Sequence, residues 1–313
     1  MHITLVHDHV LPIVKYGGTE RVIWGMGRQL ARMGHQVTFL AHKGSTCPFG
    51  RVVEINPEKS LGSQIPEDTD VVHFSNYVVH DDLTKPYVVT INGNVVDGEV
   101  DPNAVFVSRN HAERFGSKSF VYNGLDWDDY GEADLSQPRS HFHFLGKAAW
   151  RVKNVRGAIR IAKMIDGGHL DVLGGYRLNL KMGFRLTLSP RIHFYGMVDN
   201  MGKKRVIQQS RGMIFPVRWH EPFGLCLIES LYYGAPVYGT PMGSLPELIG
   251  PEVGFLSNDE ARIADFINSH PDFSPKVCHE YAADKFNIRV MTEEYLKRFE
   301  IVMNGTSLKD AAQ

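Results

Sequence analysis

The sequence predicts an α/β protein made of two Rossmann-like, doubly wound domains facing an interdomain cleft. Three observations predict it. The 313 residues suit two domains of ordinary size. Short Val/Ile-rich runs alternate with amphipathic stretches along the whole chain, the pattern of buried parallel strands joined by helices. The alternation breaks at the polar, Pro138-containing segment Gly131 to His141 and then starts again.

In the first half the strand candidates are Ile3–Val6, Val37–Leu40, Val52–Ile55, Val71–Phe74, Tyr87–Ile91, Ala104–Val107 and Ser119–Tyr122. Thr19–Met33 reads as a helix, because Val22, Ile23, Met26 and Leu30 share one face and Gly34 suits its end. In the second half His141–Leu145, His169–Leu173, Ile192–Tyr195, Met213–Phe215 and Pro236–Tyr238 read as strands. Val155–Met164, Met201–Ser210, Pro222–Tyr233 and Glu260–Ile267 read as helices. A last helix, Ile288–Val302, precedes a tail expected to fray. The expected division is therefore 1–138 for a first Rossmann-like domain and 139–286 for a second. The terminal helix and tail, 287–313, are free to pack back on the first domain. Open α/β sheets bind ligands beyond the C-terminal ends of their strands, so two such sheets imply a cleft.

Composition excludes several classes. Hydrophobic residues make up 43% and charged residues 22%, an ordinary globular balance. A net charge of −1 gives no basic footprint for nucleic acid. No apolar run reaches the ~18 residues of a membrane span, and the N-terminus reads as a strand, not a signal peptide. Cys47, Cys226 and Cys278 are odd in number and far apart, and are expected to be reduced thiols in a cytoplasmic protein. The charge is uneven, however. Residues 1–140 carry 12 Lys and Arg against 18 Asp and Glu, whereas residues 141–313 carry 22 against 17. A basic second half suits a polyanionic ligand such as a diphosphate. The acidic first half argues against strong anchoring on anionic membranes.

Several motifs fail. Gly25-Met26-Gly27 lies inside a helix with Leu30 at the third glycine position of a dinucleotide fingerprint. A P-loop, a zincin motif after His220-Glu221 and a nucleophile elbow are absent. Asp126-Trp127-Asp128 formally matches a metal-holding D-x-D pair, but it follows the turn Asn123-Gly124 and reads as helix capping or a solvated loop. Ser108 reads as a plain helix cap.

The strongest signal is Glu221-Pro222-Phe223-Gly224-Leu225 running on to Glu229. Pro222 suits a first helical turn, and Gly234 followed by Pro236 suits its end. On one helix, eight residues would separate the two carboxylates by roughly 12 Å. The helix start would offer free N–H groups and a positive dipole end.

This stretch resembles the E-x7-E signature of the retaining glycosyltransferases of family 4, which have the GT-B fold. The resemblance continues through Gly234-Ala235-Pro236-Val237 and through Gly243-Ser244-Leu245-Pro246-Glu247. It extends to Tyr16-Gly17-Gly18-Thr19-Glu20, to Asn123-Gly124-Leu125-Asp126, and to Gly146-Lys147 followed by Lys153-Asn154. It implies that Glu229 binds the ribose hydroxyls, that Glu221 faces the transferred sugar, and that Lys153 pairs with the diphosphate and steadies the leaving group. Gly17 and Gly18 would offer backbone N–H groups to the phosphates. The backbone near Phe223, Gly224 and Leu225 would also touch the donor. Met197 and Val198 would line the base pocket or simply pack in the core. Lys147 stands where the family usually has Arg; it keeps the charge without the bidentate fork, and Arg151 could compensate. Asn92, in Thr90-Ile91-Asn92-Gly93, stands where the family often has His, so it can hydrogen-bond a hydroxyl but cannot titrate near neutrality. His73 is either a satisfied core histidine or a catalytic one.

The expected function is a retaining, metal-independent glycosyltransferase (a hexosyltransferase in EC class 2.4) serving polysaccharide or glycan synthesis. Its co-substrate would be a UDP- or GDP-sugar, with no other cofactor and no metal. The acceptor would be a glycan, a lipid-linked or a small molecule; nucleic acid is not expected, and the oligomeric state is left open. The alternatives are a catalytically weak nucleotide-sugar-binding or partner protein on the same scaffold, and a phosphorylase or epimerase of GT-B fold.

Overall fold

The computed structural model describes residues 1–12, 17–75, 83–94, 99–180 and 182–311. Two compact units emerge, one formed by Met1–Asp126 with Phe286–Gln313, the other by Trp127–Lys285.

The first unit holds β1 (His2–His7), β2 (Gln36–Ala41), β3 (Arg51–Glu54), β4 (Val71–Ser75), β5 (Tyr87–Ile91) and β6 (Ala104–Phe106), with α1 (Gly18–Arg32) and α2 (Arg109–Arg114). Its sheet runs β3-β2-β1-β4-β5-β6, all pairs parallel. β1 and β4 are buried at every position, which is why they read as unbroken apolar runs. Gly27 lets α1 lie on the sheet, since a Cβ there would come within 2.5 Å of the Phe39 ring.

The second unit repeats the plan. It holds β7 (His141–Leu145), α3 (Val155–Met164), β8 (Leu170–Leu173), a small hairpin β9 (Leu178–Asn179) and β10 (Arg185–Leu186), and β11 (Ile192–Phe194). Then follow α4 (Asn200–Ile207), β12 (Ser210–Phe215), α5 (Leu225–Tyr232), β13 (Val237–Gly239), α6 (Leu245–Leu248), β14 (Gly254–Leu256), α7 (Glu260–Ser269) and α8 (Pro275–Lys285). The parallel sheet runs β11-β8-β7-β12-β13-β14. In both sheets the winding direction reverses beside the first strand, at β1/β4 and at β7/β12. Such reversal points are where α/β sheets bind ligands.

The chain finally returns to the first unit as α9 (Ile288–Met303) and α10 (Leu308–Ala311). α9 lies on α1 and β5: Ile288 sits against Gly25, and the Tyr295 hydroxyl meets Thr90 Oγ1 at 2.7 Å.

Four expectations are corrected. The units divide after Asp126 and after Lys285, not after 138 and 286. The segment before Pro138 joins the second unit because Trp127 stacks on Tyr232 at 4.1 Å and the Tyr233 hydroxyl donates to the Tyr130 carbonyl at 2.8 Å. Ser119–Tyr122 is not a strand but contributes a single bridge, Phe120 to Phe106, because the chain leaves the sheet edge to meet the start of α9. There the Leu125 N–H donates to the Phe286 carbonyl at 2.9 Å. The tail does not fray over its described part: Leu308 is buried, and the Lys309 N–H donates to the Pro102 carbonyl. Helix α5 begins at Leu225, not at Pro222, so Glu221 lies on the loop ahead of it.

Candidate functional site

The β7/β12 reversal of the second unit positions the principal side chains. The loop after β7 carries Lys147 and Lys153; the loop after β12 carries Trp219 and Glu221. The two loops are stitched together by backbone. Arg218 N–H donates to the Val152 carbonyl at 2.7 Å, and the Asn154 side-chain amide donates to the Pro216 carbonyl at 2.8 Å. Asn154 sits in the left-handed region (φ 55) and caps α3 through its side-chain oxygen, which accepts from the Gly157 N–H.

Glu221 and Lys153 meet here. Lys153 Nζ lies 2.5 Å from Glu221 Oε2, and the Trp219 indole donates to the same oxygen at 2.8 Å. Lys153 is also over the rings of Trp219 and Phe215, at 4.9 and 5.4 Å. Both side chains are largely withdrawn from water, so the attraction between them is little screened. Lys147 is exposed and lies over the Trp150 ring at 5.2 Å, with Trp150 in turn edge-on to Trp219.

The Glu221 loop is clamped from behind. The Ser244 N–H donates to the Glu221 carbonyl at 2.9 Å, and the Ser244 hydroxyl donates to the Phe223 carbonyl at 2.7 Å. Gly243, at φ 64, allows this approach: a Cβ there would stand 2.2 Å from the Glu221 nitrogen. Gly224 (φ 86) then turns the chain into α5. The Phe223 ring is buried.

Glu229, on α5, is buried. Its Oε1 accepts from Lys203 Nζ at 2.5 Å and from the Tyr130 hydroxyl at 2.9 Å. Lys203 and Tyr130 were not foreseen. Lys203 reads in the sequence as part of a solvated basic run, Lys203-Lys204-Arg205. The signal that could have found it is the spacing to Val206 and Ile207, which places it on the buried face of α4. Met197 is exposed and Val198 half-buried, just ahead of the Asp199 cap of α4.

In the first unit Gly17 forms the N-terminal boundary of α1 and Gly18 its first residue, so free N–H groups stand at that end. Tyr16 lies outside the described residues. Asn92 donates to the Ser75 hydroxyl at 3.2 Å. His73 accepts or donates at 2.7 Å with Thr90 and is edge-on to Tyr295. Burial, with the nearby His7 adding to it, pushes the His73 imidazole down to about 3. It is therefore neutral across the ordinary pH range and cannot act as a base that titrates near neutrality. It borders, with Ser75, Thr90 and Asn92, a cavity of about 10 Å³, room for about one water.

Asp126 does not sit in a solvated loop. It is buried and ion-paired to Arg28 at 2.7 Å and Arg32 at 3.1 Å. Among the described residues, His7, His9 and Glu20 are a group able to offer three donor atoms to a metal, all within 4.8 Å of one another. No helix among the described residues is long and apolar enough to cross a membrane.

Comparison with known proteins places this geometry. Residues 139–270 match the sequence profile of the family described as glycosyl transferases group 1. An uncharacterized 41.2 kDa protein in the cps region of Klebsiella pneumoniae is 31% identical over 114 residues, 34% of this chain and 32% of that protein. A 42.6 kDa protein of the same region is 32% identical over 90 residues, 28% of this chain and 22% of the relative. The matches thus span a third or less of these relatives. Among solved structures, the glycosyltransferase AviGT4 of avilamycin A biosynthesis superposes with a TM-score of 0.78 at 18% identity, covering 97% of this chain and 98% of that one. Sucrose-phosphate synthase from Thermosynechococcus elongatus gives 0.70 at 16% identity over 97% and 100%. HepE of Anabaena in complex with UDP and glucose gives 0.67 at 13% identity over 96% and 99%. The chain has the GT-B fold, and its second unit carries the sequence features of group 1 glycosyl transferases.

Proposed function

We propose that this protein is a retaining glycosyltransferase that moves a sugar from a UDP- or GDP-sugar to an acceptor hydroxyl. The observation that carries the reading is the Lys153–Glu221 pair, 2.5 Å apart at the β7/β12 reversal. A cation held beside a carboxylate suits the two ends of a sugar diphosphate, the ammonium for phosphate and the carboxylate for sugar hydroxyls. A diphosphate arriving there would draw Lys153 toward itself and leave Glu221 free to accept from the sugar.

In this reading the bond from the anomeric carbon to the diphosphate breaks as the acceptor oxygen bonds to the same face. The acceptor's proton passes to the departing phosphate oxygen, so no protein carboxylate is consumed as nucleophile. Lys153, with Lys147 nearby on the same loop, neutralises charge growing on the leaving group, the role that a metal ion plays elsewhere. Glu229 holds the ribose diol. Roles toward the donor for Gly17, Gly18, Asn92, Met197, Val198, Gly224 and Leu225 belong to the same reading. The two Klebsiella relatives lie in a cps region and AviGT4 takes part in an antibiotic's biosynthesis; both favour glycan or polysaccharide assembly for this chain.

The test is release of nucleoside diphosphate from a panel of UDP- and GDP-sugars. Turnover with at least one donor, abolished by Lys153→Met, is expected. A second reading, a nucleotide-sugar-binding protein with little turnover, is favoured by Asn92, whose amide is directed to Ser75 and cannot titrate. Tight donor binding without release across all donors and acceptors would select it.

A further inference from the structure

The hairpin β9–β10 inverts the usual arrangement of a surface hairpin. Along it Tyr176, Leu178, Leu180, Phe184, Leu186 and Leu188 occupy alternate positions, and each is 50–80% exposed. Leu178 pairs directly with Leu186, and the Thr187 N–H donates to the Arg177 carbonyl. Continuing that register sets Tyr176 opposite Leu188 and Leu180 opposite Phe184. Alternate residues of paired strands share one face, so these side chains form a continuous apolar surface, with exposed Met182 at the turn.

The opposite face is polar, with Arg185 and Thr187 buried, Asn179 half-buried and Arg177 exposed. Arg185 is withdrawn from solvent, donates to the Tyr176 carbonyl and the Thr187 hydroxyl, and lies 4.7 Å over the Phe194 ring. Arg156 and Arg151 donate to the carbonyls of Phe184 and Met182. A hairpin that tucks Arg185 beneath and turns its leucines to water presents a large apolar patch of the kind that marks an interaction site.

Charge selects the partner. A groove of about 410 Å³ runs between Phe184, Leu186 and Leu188 on one side and Arg156, Arg160 and Lys163 on the other. An adjoining cavity of about 370 Å³ is bordered by Arg151, Arg156, Arg160, Arg185 and Arg218. Among the described residues neither lining includes a carboxylate; Glu260, paired with Arg160 at 2.5 Å and Arg218 at 3.8 Å, stands behind them. Apolar side chains flanked by a cationic collar complement a layer of acyl chains beneath anionic headgroups.

We infer that the apolar face of the β9–β10 hairpin docks on an anionic phospholipid surface, with the arginine-lined groove beside it receiving the headgroups. The acidic balance of residues 1–140, which argued against membrane anchoring, does not bear on a surface built wholly from residues 151–218. The inference is independent of the proposed transfer reaction, and binding rather than activity tests it.

The full chain is sedimented with vesicles of phosphatidylglycerol mixed with phosphatidylcholine, and with vesicles of phosphatidylcholine alone. Binding to the anionic vesicles, weakened by salt, is expected. Replacing Leu180 and Phe184 together by Asp should weaken it about tenfold or more, since each buried apolar side chain contributes at that scale. Arg156→Glu should remove the preference for anionic vesicles. In a separate Phe184→Trp variant, the emission added to that of wild type should shift to the blue on anionic vesicles, a readout that does not depend on a charged variant folding. Absence of binding, equal binding to both vesicles, or unchanged emission would overturn the inference. So would light scattering showing a wild-type dimer that the Leu180 and Phe184 replacements make monomeric, because a second copy would then occupy the face.

Discussion

Glu229 and Lys203 meet at 2.5 Å, both buried, with the Tyr130 hydroxyl donating to the same carboxylate oxygen at 2.9 Å. This pair makes the obvious substitution a poor test. Glu229→Ala would leave Lys203 buried without a counter-charge, a loss of about 3–5 kcal/mol. Glu229→Gln keeps shape and hydrogen bonding. It is expected to raise the donor dissociation constant about tenfold, from one charged hydrogen bond to the ribose. Calorimetry on a variant with a native melt checks it, and unchanged affinity would remove the ribose assignment.

Lys153 is expected to act in the reaction as well as to balance the buried Glu221 carboxylate, so its variant is assayed on protein with a native melt. Lys153→Met should lower kcat/KM by about a hundredfold or more, the scale of losing one preorganised charge at a leaving group. Trp219→Phe removes the 2.8 Å hydrogen bond to Glu221 and leaves the ion pair. It should cost about 1 kcal/mol, roughly fivefold in kcat/KM. Steady-state kinetics separates the two, and equal effects would contradict the ranking.

Gly243 is a sharper probe of the Glu221 loop. A methyl group there would stand 2.2 Å from the Glu221 nitrogen and 2.4 Å from its oxygen, at a φ of 64 that alanine resists. Gly243→Ala should displace Glu221 and lose stability of about 1–3 kcal/mol. Gly44→Ala is the control: its φ is also positive, but a Cβ there meets nothing within 4 Å. If both variants lose activity alike, the clamp is not what positions Glu221.

The buried histidine sets a pH dependence. His73 is held down to about 3 in the fold by burial, whereas in the unfolded chain it titrates near 6.5. Below 6.5 the unfolded chain therefore takes up a proton that the native state does not, and stability falls as pH falls, down to about 3. At pH 5 His73 alone accounts for about 2 kcal/mol of lost stability relative to pH 7. Urea titrations at both pH values should show that loss, and His73→Phe should reduce the slope. An identical slope in the variant would contradict the assignment.

Much of this was legible in the sequence, and for a physical reason. Parallel strands such as β1 and β4 are buried on both faces, so they stand out as apolar runs; α3, with one apolar face, is located to the residue. Lys153 and Glu221, placed apart in the sequence by 68 positions, are brought together by the parallel register of β7 and β12. What stayed hidden depends on tertiary contact. α5 starts at Leu225, after Gly224 in the left-handed region, and not at Pro222. α8 buries only Cys278 and Ala282, too narrow a stripe to show as a helix. Gly124 reads as a turn residue, yet its constraint is the Asn287 carbonyl, 2.3 Å from where a Cβ would stand.

The central claim is that the Lys153–Glu221 pair receives a sugar nucleotide. Isothermal titration of the full chain with UDP- and GDP-sugars tests it most directly, run in parallel on wild type, Lys153→Met and Glu221→Gln. The account predicts saturable binding of at least one donor by wild type, with affinity reduced about tenfold or more in both variants. Donor affinity equal in all three folded proteins, or no binding of any sugar nucleotide by wild type, would contradict it.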